Sequence, residues 1–476
     1  MTDSRLSIPI ADIILDNDVY PRSSIDHKRV GMFAENMRDG FEFEPIHIQE
    51  HPEEKGKYRI LDGAHRWLAH KAIGAKEIFA KVIKLNGRDP LLYAARKAIG
   101  PRQLNDEEAK DTARRAYQNN PKLSSKDIGK AIGRSRQTVD AYISDLRANI
   151  QEELNLKLYR MYYLGIPQER IAGRLGQTRD TIRSYLGKMP ELAKSPNSDL
   201  KKGFTVSQVA EKHGWPESLV WAIKLDGKDD FPKYKELKWA IRTWDNWNWN
   251  DCDKRFGDEW PGRIPAQLIA HILYFFSKQN DLVLDPMAGG GVTADTCLAL
   301  NRRCWSFDMV DRPDERPEIE PYFWDINKLE WPVNGKTKPD LILFDPPYFI
   351  KKAEEYEENS ISNMPREEYL NFLEEFFKLA NENSKKGTRL VMINADWRDF
   401  QSTPAIEETS EQSIFIDEYI TRIKKTGWDI THIIQAPMSS ERFQANVVSA
   451  MQKKKILGVT SRYVIVAKKQ ACSRLG

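Results

Sequence analysis

Asp345-Pro346-Pro347-Tyr348 follows directly on the apolar run Leu341-Ile342-Leu343-Phe344. A short apolar run that ends in a turn signal reads as a buried strand, with the acid at its carboxyl end. Proline fixes φ and carries no N–H, so the Pro346-Pro347 pair makes a stiff turn and gives Asp345 a fixed aim. Pro346 still presents its carbonyl. Two acceptors, a carboxylate and a carbonyl, therefore stand side by side next to the Tyr348 ring. That set suits an exocyclic amine on a planar base: the acceptors take the two NH2 hydrogens and Tyr348 stacks on the ring. The chemistry-free alternative is a strand closed by a Pro-Pro turn.

A second strand-and-turn unit lies sixty residues earlier. Leu282-Val283-Leu284 is apolar, Asp285-Pro286-Met287-Ala288-Gly289-Gly290-Gly291 follows, and Val292 to Leu300, with Thr293 in its first turn, reads as a helix. Glycines at a strand-to-helix turn let a backbone approach a ligand closely. No lysine follows Gly291, so the phosphate-cradling G-x-x-x-x-G-K-[ST] loop is absent, which points to a ligand with a ribose and no phosphate. Cys304-Trp305-Ser306-Phe307 ends in Asp308, 23 residues after Asp285, where a ribose-gripping carboxylate falls in such units. Tyr322-Phe323-Trp324 reads as a further short strand and ends in Asp325. One such acid alone would be a cap or turn former; the ordered series of strand-plus-acid units argues for a site.

Together these motifs resemble the DNA amino-methyltransferases that use S-adenosylmethionine. Residues 285–291 are similar to their cofactor loop, with Met287 in place of the usual Phe, and residues 345–348 to their catalytic motif. Arg263 to Ile269 resembles the segment that closes over the cofactor's methionine end, and the resemblance covers residues 235–470. It implies that Asp285, Pro286, Ala288, Gly289, Gly291 and Thr293 form the cofactor site, with Asp308 accepting from ribose hydroxyls and Asp325 from the cofactor's adenine amine. It implies that Asp345, Pro346, Pro347 and Tyr348 hold the target base while a methyl group passes directly from sulfonium to nitrogen. Positioning and fixed acceptors that stabilise charge developing on nitrogen then supply the catalysis. Cys252, Cys297, Cys304 and Cys472 have no Cys-Pro context, which argues against a ring-carbon cytosine methylase. Within the family, Asp rather than Ser at the first catalytic position favours adenine N6 over cytosine N4. A target inside a duplex must be flipped out of the stack.

The elements that must position these groups alternate. Arg366 to Asn383 and the amphipathic Ile414 to Thr426 read as helices; Arg389 to Asn394, Trp428 to Ile434 and Arg462 to Lys469 read as strands. Alternation predicts a mainly parallel sheet with helices on both faces and ligands at the carboxyl ends of the strands. Only 128 residues follow Tyr348, too few for a sizeable target-recognition insert. The contact loop expected there is Ser439 to Ser461, with Arg442, Lys453, Lys454 and Lys455.

Sequence reading is therefore expected from the N-terminal half. Ile128 to Val139, Ile171 to Ile182 and Val209 to Val220 share a helix-turn-helix pattern, with Gly133, Gly176 and Gly214 taking the turns. The second helices open with Ser135, Arg136 and Gln137, and with Thr178, Arg179 and Asp180, polar groups suited to base edges. Trp215-Pro216 in the third suits packing instead. The basic patch is placed on Lys130, Arg134, Arg136, Arg147, Arg174, Arg179 and Arg183. Further upstream, Arg5 to Ile14 and Ile46 to Ile48 read as strands. Tyr58 to Leu61 is a third strand and leads into Gly63-Ala64-His65-Arg66 and an Ala-rich helix. This pattern resembles the ParB-like and sulfiredoxin-like family, in which the turn and helix N-terminus hold phosphates. Gly63, His65 and Arg66 carry the match; Ala64 replaces the usual Glu of partition proteins, which argues against nucleotide hydrolysis.

A chain of 476 residues with 40% hydrophobic residues fits about three domains. The net charge of +3 is small, so nucleic-acid affinity must come from local patches. Four scattered cysteines suggest a reducing cytoplasm and no metal site, and no segment has the length of a membrane span or the pattern of a signal. Pro190 to Lys202 and Asp226 to Tyr234 read as linkers, and Trp239, Trp244, Trp247 and Trp249 as interface packing. The expected architecture is multidomain: an α+β ParB-like domain (1–100), an all-α helix-turn-helix region (101–230) and an α/β Rossmann-like methyltransferase domain (235–476), the last folding alone without residues 1–230. The expected function is sequence-directed methylation of double-stranded DNA in the cytoplasm. A homodimer and a nucleotide at the ParB-like domain are both left open. N4-cytosine methylation, an RNA substrate, and a partition or regulatory protein with a cofactor-sensing methylase fold are the alternatives.

Overall fold

In the computed structural model, residues 6–98, 104–324, 328–333, 337–347, 361, 364–396, 415–438, 445–455 and 458–470 are described. The chain divides into two units, Met1–Glu153 and Leu154–Gly476.

The first unit begins with β1 (Leu6–Pro9) and β2 (Ile13–Ile14). The single strand expected from Arg5 to Ile14 is broken by a 3-10 turn at Ile10–Asp12, which lets Ile8, Ile10 and Ile13 all enter the core. β3 (Ile46–Glu50), β4 (Tyr58–Asp62) and β5 (Glu77–Val82) complete a mixed sheet of order β1-β5-β3-β4-β2. The Ala64–Ala72 helix buries Trp67 against the isoleucines of this sheet. A second small core, Ala109, Ala113, Ile128, Ile132 and Val139, joins the Asp106–Asn119, Ser125–Ile132 and Arg136–Tyr142 helices. Gly133, at φ 69°, turns the chain between the last two, and Ser135 caps the next helix by accepting from the Thr138 N–H.

In the second unit, β6 (Leu282–Asp285), β7 (Arg303–Asp308), β8 (Ile319–Pro321), β9 (Leu341–Phe344), β10 (Arg389–Ala395), β11 (Trp428–Gln435) and β12 (Arg462–Lys469) form one sheet. Its order is β11-β12-β10-β9-β6-β7-β8. The β10 to β8 stretch is parallel, and β12 is antiparallel to both β10 and β11. The strand expected at Tyr322 to Trp324 lies earlier, at Ile319–Pro321; Trp324 is instead buried, its indole N–H donating to the Pro286 carbonyl.

The expected boundary near residue 230 does not divide the second unit. Leu158, Ile171, Ile182, Val209, Leu219 and Val220 share one hydrophobic core with Leu268, Val283, Leu343, Ile393 and Val466. The helices before the sheet have apolar faces that need this cover, and their polar faces bind into it too. Arg170 lies over Trp305 at 4.8 Å and Phe307 at 5.3 Å and pairs with Glu320. Both expected linkers are largely helical. Met189–Lys201 is one helix, anchored through the buried Asp199 to Lys212 and His213. Asp230–Glu236 is another, with Lys233 and Tyr234 buried. Trp239 and Trp247 are buried core residues, whereas Trp244 is exposed. Among the described residues no helix is long and apolar enough to cross a membrane.

Candidate active site

β9, β6 and β7 are adjacent and parallel, so their carboxyl ends share one edge of the sheet. Asp285, the last residue of β6, is level with Ser306, and Leu284 is level with Ile342. Asp308 and Asp345 each lie two residues beyond that level, on either side of Asp285. Their strands are two spacings apart, about 10 Å.

The three acids differ in accessibility. Asp285 is buried; its Oδ1 accepts from the Met287 N–H at 3.1 Å and its carboxyl bonds the Thr293 side chain. Burial pushes it up to about 7. Asp285 and Thr293 thus shape the loop from below and do not face its open side. Asp308 is half-buried; its two oxygens accept from the Gly289 N–H at 2.8 Å and the Val310 N–H at 3.0 Å. A carboxylate offers about four lone pairs, so Asp308 keeps acceptors for hydroxyl groups. These acceptors fit a ribose-bearing cofactor, whose hydroxyls would donate to them. Asp345 is half-buried beside the buried Pro346. Ala288 is buried, its N–H donating to the Phe307 carbonyl, and the Pro286 carbonyl is held by Trp324.

Glycine in the loop serves a purpose that spacing did not show. Gly291 has φ 80°, and a Cβ there would collide with the Arg316 guanidinium. A Cβ on Gly289 would stand 2.8 Å from the Trp260 ring, and one on Gly290 2.7 Å from the Asp258 carbonyl. The close approach is made by the chain itself. Arg312 lies over Trp260 at 4.4 Å and donates to the Gly289 carbonyl at 2.5 Å. Arg316 donates to the Gly291 carbonyl at 2.8 Å and joins a buried group with Asp295, Glu318 and Arg160. Burial alone would push Asp295 up, but Arg160 and Arg316 hold it below the usual carboxylate range. Sequence reasoning missed Arg160, Trp260, Arg312 and Arg316 because each reaches the loop from a distant or irregular segment with no motif of its own. In the segment Arg263 to Ile269, Leu268 and Ile269 are core residues, and Arg263 donates to the Asp253 and Phe256 carbonyls.

Asp325, Tyr348 and Arg442 lie outside the described residues. Lys453 is exposed, but on a helix, Ala445–Lys454, where a loop was expected. Ser135 and Thr178 are helix caps, which limits their reach to a ligand. Arg136 is 77% exposed, Gln137 is exposed and Arg179 pairs with Glu169 at 2.9 Å on the surface. Arg174 is not available: it is 11% exposed, pairs with Asp311 and donates to the Pro317 and Ile319 carbonyls. Arg134 is likewise bound to Asp106 and the Leu104 carbonyl.

In the first unit, Gly63 opens its helix at φ 97°, and a Cβ there would stand 2.5 Å from Ile46. His65 Nε2 accepts from the Asp26 N–H at 3.2 Å. Arg66 donates to the Glu44 carbonyl at 2.6 Å and pairs with Asp62 at 2.8 Å, so it ties down a loop. A cavity of about 490 Å³ lies beside them, lined also by Arg22, Arg29, Phe33, Phe41 and Phe43.

Residues 170–312 and 339–461, more than half of the chain, match the DNA methylase family model, and residues 3–95 match the ParB N-terminal domain. A curated relative is the type II methyltransferase M2.LlaDCHI of Lactococcus lactis subsp. cremoris, 28% identical over 100 residues, 19% of this chain. The chain spans 36% of that relative's length. Among solved structures, the chain is similar to the C-terminally truncated chromosome-partitioning protein ParB of Caulobacter crescentus complexed to the centromeric parS site. The identity is 16% over 44% of this chain and 98% of that one, with a TM-score of 0.23. A TehB-like SAM-dependent methyltransferase of Corynebacterium glutamicum matches at 10% identity over 42% of this chain and 87% of that one, with a TM-score of 0.27. Scores this low leave the assignment to the family models.

Proposed function

Because the chain belongs to the DNA methylase family and S-adenosylmethionine is its cofactor, we propose that it methylates an exocyclic amine, adenine N6 ahead of cytosine N4, in double-stranded DNA. The observation that carries this reading is the row of Asp308, Asp285 and Asp345 on three adjacent parallel strands, with Asp345 on a Pro-Pro turn. Asp308 holds the ribose, and the loop at 286–291 supports the rest of the cofactor. When bound, the cofactor supplies an electrophilic methyl group. Asp345 and the Pro346 carbonyl accept the two amine hydrogens, which aims the nitrogen lone pair and stabilises positive charge building on nitrogen as the N–C bond forms and the sulfonium–methyl bond breaks; one of those hydrogens then leaves as a proton, to Asp345 or to water. Tyr348 stacks on a base that has been flipped from the duplex. Aspartate at the first catalytic position supports adenine over cytosine.

Sequence preference is assigned to Arg136, Gln137 and Arg179, the exposed polar groups on the second helices of two helix pairs. The aromatic and arginine lining of the first-unit cavity favours a second ligand, a nucleotide with its base on Phe33, Phe41 or Phe43. Arg22 and Arg29 are then its phosphate partners, since Arg66 is committed elsewhere.

Mass spectrometry of nucleosides from DNA of cells expressing the chain tests the central reading, with Asp345→Ala as control. N6-methyladenine that vanishes in the variant, with cofactor binding intact, is the expected result. N4-methylcytosine keeps the mechanism and changes the base. Neither mark, or equal marks in both, overturns the reading.

A further inference from the structure

Two consecutive prolines leave the 345–347 turn a single backbone donor, the Asp345 N–H, since neither Pro346 nor Pro347 has one. Such a turn can be held through its carbonyls and by packing. The Pro347 carbonyl has a partner: the Tyr369 hydroxyl donates to it at 3.3 Å. Tyr369 is fully buried on the Arg366–Glu382 helix, so its aim is set by the core. The same oxygen accepts from Asn394 Nδ2 at 3.0 Å, and Asn394 is buried near the carboxyl end of β10. Asn394 is itself oriented, because its Oδ1 accepts from the Ala395 N–H at 2.7 Å and so turns the NH2 toward Tyr369. A hydroxyl that already accepts from an amide has its hydrogen directed elsewhere, and the Pro347 carbonyl is where it points.

We infer that Tyr369 and Asn394 are positioning residues that orient the Asp345-Pro346 acceptor pair through the Pro347 carbonyl, and so set the rate of transfer to the target amine. The chain runs one way: the Asn394 amide donates to the Tyr369 oxygen, which donates to the turn. Neither side chain touches the base in this scheme. The inference rests on the methyl-transfer reading of the Asp345-Pro346 turn.

The orientation makes a distinctive demand at Asn394. Asn394→Asp keeps the size but replaces the donor with an acceptor, which captures the Tyr369 hydrogen and leaves the Pro347 carbonyl without it. Tyr369→Phe removes the hydroxyl alone and keeps the ring in the core. The experiment measures transfer of labelled methyl from S-adenosylmethionine to unmethylated plasmid DNA, with cofactor affinity by calorimetry and Tm on the same samples. For Tyr369→Phe, kcat falls about 10- to 100-fold, as for small displacements of reacting groups, while cofactor affinity stays near wild type and Tm falls by a few degrees because the buried Asn394 amide loses its acceptor. Asn394→Asp matches that loss of kcat, and Asn394→Ala loses less. Wild-type kcat in Tyr369→Phe overturns the inference, as does a fall in kcat only in step with cofactor affinity and folded fraction. Asp345→Ala separates the two levels. If it is inactive while Tyr369→Phe is fully active, the methyl-transfer reading stands and this inference fails. If wild type and Asp345→Ala incorporate equally, the reading itself fails and takes this inference with it.

Discussion

Asp285 was legible from the sequence as a loop acid, but its role was not. Position at a strand end marks a site, yet only burial shows that the carboxyl faces inward toward Thr293. That burial has a pH consequence. Its folded value is raised to about 7, above an unfolded value near 4, so the native state binds more protons between the two. Its contribution to stability is fully present below about pH 4 and is lost as pH rises through about 7. Asp285→Asn, which cannot ionise, is therefore expected to raise Tm relative to wild type at pH 8 and to lose that advantage at pH 4; thermal melts at both values check it. Arginines behave similarly as a class in sequence and differently in structure. Arg136→Ala and Arg179→Ala are each expected to weaken binding to the preferred sequence by about 1–3 kcal/mol and to relax that preference, with little change in Tm. Arg174→Ala should lower Tm, because it removes the partner of Asp311 and of two carbonyls. Fluorescence anisotropy on preferred and unrelated duplexes, with thermal melts of the same variants, separates the two outcomes.

At the scale of elements, the helices and strands of the sheet half were readable because hydrophobic period and turn residues agree there. Val292–Ala299, Arg366–Glu382 and β10 fall within a residue or two of expectation. The 189–201 segment was not, because serine, proline and asparagine look like a linker and only the tertiary contacts of Asp199 make a helix of it. The cofactor loop shows the same limit. Its glycines were visible, but the collisions that require them involve Trp260, Asp258 and Arg316, which no local pattern connects to the loop. Arg160 is the most distant support, 135 residues from Asp295 in sequence. Arg160→Met leaves Asp295 and Glu318 short of a cation in the interior, a change that typically costs about 3–5 kcal/mol. The expected result is a lower Tm together with weaker S-adenosylmethionine binding by calorimetry; unchanged affinity would show that the loop holds its shape without Arg160.

For the molecule as a whole, the sequence conveyed the order of its parts better than their limits. Composition changes near residue 230 suggested a boundary, but the helices before it share a core with the sheet, and sharing of this kind leaves no local trace. Truncation distinguishes the two descriptions. A chain beginning at Leu154 is expected to melt cooperatively and bind S-adenosylmethionine, while one beginning at residue 231 strips the Glu217–Leu225 helix from the Val292–Ala299 helix and should aggregate. Size-exclusion chromatography and calorimetric melts of both pieces decide it. Within the first unit three strand segments and the helix after Gly63 were legible, whereas β5, the His27–Arg38 helix and the commitment of Arg66 to Glu44 and Asp62 were not, the last because it depends on a loop brought back from twenty residues away.

β12 has a consequence for how the second unit is born. It lies between β10 and β11, and β11 joins the sheet through β12. During synthesis from the N-terminus, β10 presents an open edge, and β11, apart from its Gln435 end, which bonds Asp245 and Trp247, has no strand to pair with until residues 462–469 leave the ribosome. The first unit is complete by then and can fold on its own schedule. The second is left waiting with an apolar strand edge uncovered, the state in which edge-to-edge association is most dangerous. Chaperone dependence during translation should accordingly be concentrated in the second unit and end with the emergence of β12.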